Sequence, residues 1–349
     1  MNLNKLIRPA VKAMKSYSSA RDEFESQDKD LVFLDANENP FPNGLNRYPD
    51  PQQMQLKNKL AALKGLRPSQ ILCGNGSDEV LDLIFRAFCE PNKDAIITLT
   101  PTYGMYAVLA NLNGIQQQCV CLTADFQIDV PAVLNAIRPN SKLLFICSPN
   151  NPSGNVMSRT AIKEILKAFK GLVVIDEAYI DFAAAGSSAV SLIDQYDNLL
   201  VVQTMSKSRS LAGMRIGYAM GSTVLIEGLE RIKNSFNSYP LGHVQLAAAV
   251  ASFNDPDYFE SMREQVIASR EWLVEELERL GFEVLPSAAN FVLAQHSEFG
   301  GLDLTQSLRD KNIIIRHFNK PRLSEFLRIT VGTPLQNKQL IDALDEIIK

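Results

Sequence analysis

The chain has 349 residues, of which 46% are hydrophobic and 21% are charged, so it can bury a large core and is long enough for two domains. The formal net charge of −4 and the scattered basic residues give no electrostatic footprint for nucleic acid, and no apolar run approaches the length of a membrane span. The N-terminus also lacks an apolar signal core, so we expect a cytoplasmic protein with neither a nucleic-acid partner nor a membrane partner.

The cysteines and histidines indicate neither disulfides nor a metal site. The five cysteines form no C-x-x-C pair and lie mostly in apolar segments, where cysteine behaves as a small hydrophobic residue. His243, His296 and His317 are far apart in sequence, and none stands at ligand spacing from another histidine or cysteine. We therefore expect a metal-free protein without disulfides.

The N-terminal segment is polar and then rich in turn-forming residues. Residues 1–30 have the composition of an arm, with Tyr17 in their one recognisable feature. Residues 31–34 read as a short apolar strand, and the prolines and asparagines that follow, as far as residue 51, are typical of a surface loop. Tyr48 lies in this loop.

Residues 71–88 predict a strand followed by a helix. Ser77 is the expected N-cap, acidic residues follow it, and apolar residues recur at helical spacing. Backbone N–H groups at a helix N-terminus bind anions, so Gly76, Ser77 and Asp78 are candidate neighbours of a phosphate group. Such a start also occurs in dinucleotide folds, although Glu79 stands here where those folds place a third glycine.

An alternation of strands and helical stretches continues from there to residue 203. The further strands are expected at 94–99, 115–122, 142–147, 171–175 and 198–203. This order predicts a parallel sheet with helices on both sides. Open sheets of this kind bind ligands at the carboxyl ends of their strands. The polar residues that follow these strands are Tyr103, Asn151, Asp176, Tyr179 and Lys207.

Lys207 follows a buried strand and has phosphate-binding residue types around it. Hydroxyl groups of Thr204 and Ser206 can donate hydrogen bonds to a phosphate, and the guanidinium of Arg215 matches its geometry. A primary amine beside a phosphate site suggests pyridoxal 5'-phosphate, whereas a solvated loop lysine is the plain alternative. Asp176 favours the cofactor, because this cofactor needs a carboxylate to keep its ring nitrogen protonated.

The last hundred residues predict a smaller α+β unit. Asp255 and Pro256 cap a long helix that ends at Gly281, and Thr333 with Pro334 opens a final helix. Strands are expected at 282–285, 290–293, 313–316 and 326–331. We divide the chain into an N-terminal arm (1–40) packing with the small domain, a large cofactor-binding domain (41–255) and a small C-terminal domain (256–349).

Two arginines end strands in this small unit. Arg316 follows three isoleucines, and Arg328 has apolar neighbours on both sides. A buried arginine requires an anion, so Arg328 is a candidate for binding an anionic substrate.

Several segments together resemble one enzyme family. LDANENPF (34–41), RYPDP (47–51) and SPNNPSG (148–154), with Asp176 and Lys207, resemble the fold-type I pyridoxal-phosphate aminotransferases over nearly the whole chain. Among these, the resemblance is to the histidinol-phosphate aminotransferases. It implies an α/β fold with a mostly parallel sheet flanked by helices, and transamination of L-histidinol phosphate with 2-oxoglutarate. The products would be imidazole acetol phosphate and glutamate, in histidine biosynthesis.

The same resemblance implies a role for each candidate residue. Lys207 would bind the cofactor covalently and move a proton, while Asp176 and Tyr179 complete the catalytic set. Tyr103 would stack on the cofactor ring, and Asn151 with Tyr179 would hydrogen-bond the 3′ oxygen. The residues that would hold the cofactor phosphate are Gly76, Ser77, Asp78, Thr204, Ser206, Arg215 and, from the other subunit of a homodimer, Tyr48. The residues on the substrate side would be Tyr17, Arg316 and Arg328.

Alternatives remain on the substrate side and beyond it. A threonine-phosphate decarboxylase or an aromatic amino-acid aminotransferase would share the cofactor residues, and an NAD-dependent oxidoreductase or a non-catalytic protein of the same fold are more distant possibilities. Residues 207–210 are more polar and more basic than is usual in the family, and the sequence assigns no contact to Arg209.

Overall fold

The computed structural model describes residues 3–15 and 32–349, which contain one sheet of seven strands and one of four. The strands of the large sheet are β1 (Ile71–Asn75), β2 (Ala95–Thr100), β3 (Gln116–Cys121), β4 (Ser141–Cys147), β5 (Leu172–Asp176), β6 (Leu199–Thr204) and β7 (Ile216–Gly221). The strands of the small sheet are β8 (Phe282–Val284), β9 (Phe291–His296), β10 (Arg316–His317) and β11 (Phe326–Thr330).

The large sheet has the strand order β1-β7-β6-β5-β4-β2-β3. All neighbouring strands are parallel except at β7, which is antiparallel to both β1 and β6. The mostly parallel sheet expected from the alternation of elements is therefore confirmed, and β7 is a strand that the sequence analysis did not identify. Parallel strands bring their carboxyl ends to one edge, so β4, β5 and β6 deliver the residues that follow them to the same place.

Helices cover both faces of this sheet. In chain order the helices are α1 (Pro9–Ala13), α2 (Met54–Lys64), α3 (Gly76–Phe88), α4 (Met105–Leu112), α5 (Val130–Ala136), α6 (Arg159–Ala168), α7 (Thr223–Phe236), α8 (His243–Ala251), α9 (Pro256–Arg279), α10 (Gly301–Asp310) and α11 (Pro334–Ile348). Side chains alternate between two cores along each strand. In β5, Val173 and Ile175 belong to one core, while Leu172 and Val174 belong to the other.

The small sheet is antiparallel and packs on the C-terminal helices. Its core joins Leu273 and Leu277 of α9 with Leu327 of β11 and Leu344 of α11. The predicted helix starts are confirmed, since the Asp255 side chain accepts from the Tyr258 N–H and Thr333 from the Gln336 N–H. The strand predicted at 313–316 is misplaced, because only Arg316 and His317 pair with β11. The domain limits stay a prediction.

The N-terminal segment differs from expectation. Leu6, Ile7 and Val11 pack into the core beneath α3 and α7 of the large sheet. The sequence analysis had instead expected the arm to pack with the small domain. No strand forms at residues 32–34, and Val32 and Leu34 are 82% and 89% exposed. A strand forms only beside a partner strand, so the apolar pattern of this run did not by itself predict its structure. Tyr17 lies outside the described residues.

No helix in the described ranges is long and apolar enough to cross a membrane. The five cysteines, all of them described, are free thiols. The described residues hold no group of three or more histidine, cysteine or acidic side chains that could bind a metal ion.

Candidate active site

A cavity of about 220 Å³ lies at the carboxyl ends of β4, β5 and β6. Most of the predicted site residues line it. Its lining consists of Ser77, Asp78, Tyr103, Cys147, Asn151, Asp176, Ala178, Tyr179, Thr204, Ser206, Lys207, Arg215 and Arg328. Of these, Cys147 and Ala178 were not predicted. Cys147 is paired in register with Asp176 across β4 and β5, so its position at the same strand edge was the signal available in the sequence.

Asp176 is a buried carboxyl group at the end of β5. Its Oδ2 accepts a hydrogen bond from the Tyr106 hydroxyl at 2.8 Å, and its Oδ1 accepts one from the Ala178 N–H at 3.1 Å. Burial raises the pKa of Asp176 from 3.8 to about 6, against the opposing effect of these two hydrogen bonds. Tyr106 is completely buried and was missed by the sequence analysis, although it lies in α4 only three residues after Tyr103.

Tyr103 lies between this carboxyl group and the start of α3. Its hydroxyl donates to Asp78 Oδ1 at 3.0 Å, and its ring meets that of Tyr106 edge-on at a centroid distance of 5.7 Å. Burial and the neighbouring Asp78 carboxylate raise the pKa of Tyr103, so the phenol stays protonated and remains a donor.

The start of α3 faces Arg215. The helix begins at Gly76 with Asn75 in the N-cap position, so the prediction of Ser77 as N-cap was wrong by two positions. Gly76 has φ +82°, and a Cβ there would lie 2.8 Å from a terminal nitrogen of Arg215. Only glycine combines this backbone conformation with so close an approach. The first N–H groups of α3 therefore lie beside a guanidinium, which is a suitable place for a phosphate.

The segment after β6 adds hydroxyl groups to the same end of the cavity. Thr204 Oγ1 donates to the Ile216 carbonyl at 3.0 Å and lies 3.0 Å from Ser206 Oγ. The Ser206 N–H donates back to Thr204 Oγ1 at 3.2 Å. These bonds fix both hydroxyls at the cavity wall.

Lys207 follows directly and faces the open cavity. Its Nζ lies 5.6 Å from the centroid of the Tyr179 ring. Although solvent in the cavity reaches this side chain, the surrounding protein still desolvates its amine and lowers the pKa of Lys207, with a further contribution from the Arg328 charge. A lowered pKa makes more of the neutral, nucleophilic amine available.

Asn151, Tyr179 and Arg328 form one hydrogen-bonded chain on the opposite side. The Asn151 amide donates to the Tyr179 hydroxyl at 3.3 Å, and Arg328 donates to Asn151 Oδ1 at 2.6 Å. The Arg328 guanidinium lies 5.4 Å from the Phe291 ring centroid and 5.3 Å from that of Phe318. Burial lowers the pKa of Arg328, yet an arginine remains charged. Its cation is therefore partly desolvated and directed at the cavity.

Three of the predicted residues that the structure describes do not line this cavity: Gly76, which lies beside Arg215 at the start of α3, Arg316 and Tyr48. Arg316 is exposed and stands opposite Arg328 in the β10–β11 register. Tyr48 is 50% exposed and stacks on Tyr239 at a centroid distance of 4.5 Å.

The lining fits pyridoxal phosphate by its chemistry. One end of the cavity offers N–H groups, hydroxyls and the Arg215 cation for a phosphate, and the other offers the Asp176 carboxyl group for a basic ring nitrogen. The Lys207 amine lines the same cavity. A second cation, Arg328, remains for another anion.

The family model for class I and II aminotransferases matches residues 33–344. The chain is 46% identical to a histidinol-phosphate aminotransferase of Flavobacterium johnsoniae over 347 residues, which is 98% of each protein. It is 47% identical to that of Christiangramia forsetii over 352 residues, covering 99% of this chain and 98% of the relative.

A solved structure is similar as well. The histidinol-phosphate aminotransferase of Sinorhizobium meliloti in complex with pyridoxal 5'-phosphate superposes with a TM-score of 0.80 at 28% identity, over 86% of this chain and 83% of that one.

Proposed function

The chain belongs to the class I and II aminotransferases, a family that uses pyridoxal phosphate, and we propose that it transfers the amino group of L-histidinol phosphate to 2-oxoglutarate in histidine biosynthesis. The products are imidazole acetol phosphate and glutamate. The relatives named for this reaction support the proposal over nearly their whole length. The observation in the structure that carries it is the presence of two separate arginines in the cavity, Arg215 and Arg328. One serves the cofactor phosphate and the other an anionic substrate.

Bound pyridoxal phosphate supplies a reactive carbonyl carbon and a ring that accepts the electron pair released at the substrate carbon. The protein supplies the groups that hold and move protons. Lys207, with its lowered pKa, provides a neutral amine that can bind the cofactor covalently and then carry a proton to and from the substrate carbon. Asp176 would accept a hydrogen bond from the protonated ring nitrogen, and the Tyr106 hydroxyl, which donates to Asp176 Oδ2, keeps that carboxyl group in place.

Other residues in and around the cavity orient the two ligands. The phosphate-binding set consists of Gly76, Ser77, Asp78, Thr204, Ser206 and Arg215. Tyr103 would stack on one face of the ring, and the Asn151 amide with the Tyr179 hydroxyl would hydrogen-bond the 3′ oxygen that the ring carries. Arg328 binds the phosphate of histidinol phosphate in one half-reaction and a carboxylate of 2-oxoglutarate or glutamate in the other, because the guanidinium fork suits both anions. Arg316 and Tyr17 are further proposed donors to the substrate.

We also propose a homodimer in which Tyr48 serves the site of the second copy, since its phenol does not line the cavity of its own chain. A cytoplasmic location stays a prediction of the sequence.

The proposed reaction is tested with the purified, cofactor-loaded enzyme and three amines: L-histidinol phosphate, O-phospho-L-threonine and L-phenylalanine. We expect the largest kcat/KM for histidinol phosphate, measured as ketone formed in a single half-reaction. Release of carbon dioxide from phosphothreonine would instead identify a decarboxylase, and preference for phenylalanine an aromatic aminotransferase. Lys207→Ala is the control, and borohydride reduction of the wild type should place the cofactor on Lys207; an adduct on another lysine defeats the assignment.

A further inference from the structure

The turn that carries Lys207 holds a second cation, Arg209, which does not line the cavity. Its guanidinium carbon lies 4.1 Å from the ring centroid of Phe253 and 4.2 Å from that of Phe259. The same guanidinium donates to the Ser252 carbonyl at 2.9 Å. It is therefore held between two phenyl rings and fixed by a main-chain hydrogen bond.

These partners belong to the junction between two helices. Ser252 directly follows α8, and Phe259 lies in the first turn of α9. Farther along, α9 contributes Leu273 and Leu277 to the core of the small domain. Arg209 thus joins the Lys207 turn to the helix that leads into the unit carrying Arg328.

The turn itself is short and anchored on its other side. The Leu211 N–H donates to the Met205 carbonyl at 3.1 Å, which closes the turn around Lys207. The Ser208 hydroxyl donates to Asp181 Oδ2, and Arg263 of α9 donates to the Asp181 carbonyl at 3.3 Å. A displacement of the turn would break contacts on both sides, so its position is set by residues outside the cavity.

We propose that Arg209 is a positioning residue for Lys207, clamping the lysine turn to the α8–α9 junction so that the amine is held at the cofactor. Arginine suits this position because a planar guanidinium can stack on both faces and still donate a hydrogen bond, which a lysine ammonium cannot do. The inference rests on the proposed role of Lys207. It is independent of the identity of the amino donor.

The test separates attachment of the cofactor from its binding. Full-length wild type and Arg209→Met are saturated with pyridoxal phosphate, and the total bound cofactor is measured after gel filtration. Borohydride reduction and peptide mass analysis then give the fraction attached to Lys207. We expect the ratio of attached to unattached bound cofactor to fall on the order of tenfold in Arg209→Met, since a less fixed amine has a lower effective concentration.

Two further variants make the result specific. Arg322→Met is the matched control, because Arg322 also stacks on a phenyl ring, that of Phe126 at 4.7 Å, and donates to main-chain carbonyls away from the Lys207 turn. Its ratio should match the wild type. Phe259→Leu should lower the ratio in the same direction as Arg209→Met, and combining the two changes should add little, because they remove one contact.

The outcomes decide the proposal. An unchanged ratio in Arg209→Met, or an equal fall in Arg322→Met, would show that Arg209 only stabilises the fold. If Arg209→Met does not fold, the ratio in Phe259→Leu decides alone. A wild-type adduct on a different lysine would instead overturn the assignment of Lys207, and with it this inference, whereas an unexpected amino donor would leave the ratio as the deciding measurement.

Discussion

Asp176 is a buried carboxyl group whose ionisation costs free energy until a cation pairs with it. Its raised pKa of about 6 has burial as the first cause, and only the hydrogen bonds from Tyr106 and Ala178 and the Lys207 charge oppose it. A protonated ring nitrogen would supply the missing partner. The same environment that makes Asp176 suitable for the cofactor therefore makes the cofactor-free protein less stable at neutral pH.

We predict that Asp176→Asn stabilises the cofactor-free protein at pH 8 relative to the wild type. Because the pKa of Asp176 is higher in the folded protein than in the unfolded chain, the protonated carboxyl group stabilises the folded state fully at a pH below 3.8. This stabilisation is lost as the pH rises through about 6. The difference in unfolding free energy between the variant and the wild type should thus grow by on the order of 3 kcal/mol between pH 4 and pH 8. Denaturant titration at both pH values measures it.

Asp197→Asn is the control for this comparison, because it removes a carboxylate from an exposed position.

The loaded Asp176→Asn enzyme should also turn over on the order of a thousandfold more slowly, since a neutral amide no longer keeps the ring nitrogen protonated. Near wild-type kcat would remove Asp176 from the mechanism, and an equal stability difference at both pH values would show that its carboxyl group is not desolvated.

The strand pair β10–β11 places two cations side by side. Arg316 pairs in register with Arg328, and the Arg316 charge contributes to lowering the pKa of Arg328. Two like charges on adjacent strands repel each other, so the arrangement is favourable only when an anion lies between or beside them. A phosphate dianion uses two guanidinium groups better than a single carboxylate does.

We therefore predict different effects for the two arginines. Arg328→Ala should weaken both half-reactions by about 2–5 kcal/mol in kcat/KM, the range typical of removing one partner from a buried charged pair. Arg316→Ala should impair histidinol phosphate more than glutamate, because Arg316 is exposed and supplements the dianion. Each half-reaction is followed separately by the absorbance of the cofactor. Variants that impair glutamate alone would show that the phosphate is held elsewhere.

The elements that the sequence predicted well are those that local patterns determine. Strands β4, β5 and β6 are five to seven residues long and each contains an unbroken apolar run, so both their existence and the polar residues at their ends could be read directly. Asp176 and Lys207 were found for this reason. Strand β7 was missed because two glycines weaken its pattern, and Gly217 is needed there since a Cβ would lie 2.2 Å from the Ser77 nitrogen. Such a requirement exists only in the folded structure.

Long-range contacts explain the remaining differences. Tyr106 reaches Asp176 across 70 positions, and nothing in the local sequence signals that hydrogen bond. Arg209 had no assigned contact for the same reason, because its two phenyl rings lie more than forty residues away in sequence. The segment 32–48 is apolar in places but exposed, with Phe41 at 78% and Leu45 at 60%. These apolar side chains are exposed in a single chain, and a second copy of the chain would cover them if it packed against this segment.

Tyr48 is held in place away from the cavity of its own chain. Its N–H donates to Glu38 Oε1 at 2.7 Å, its ring stacks on Tyr239, and the His243 ring hydrogen-bonds the adjacent Arg47 carbonyl at 2.9 Å. These contacts fix the phenol at the surface of the chain, half-exposed. If the second copy supplies the missing contact, each site consists of Lys207 from one subunit and Tyr48 from the other.

This arrangement predicts complementation between two impaired subunits. Lys207→Ala and Tyr48→Ala homodimers should both be weak, the first for lack of the amine and the second for a weakened hold on the cofactor phosphate. In a heterodimer of the two, the Tyr48→Ala subunit retains Lys207 and receives an intact Tyr48 from the other subunit, so one complete site forms. Heterodimers isolated with two different affinity tags should recover about half of the wild-type kcat and a wild-type affinity for pyridoxal phosphate at that site, as expected for one site of two. A heterodimer no better than the Tyr48→Ala homodimer would place Tyr48 in the site of its own chain, and a monomeric enzyme with full activity would exclude a shared site altogether.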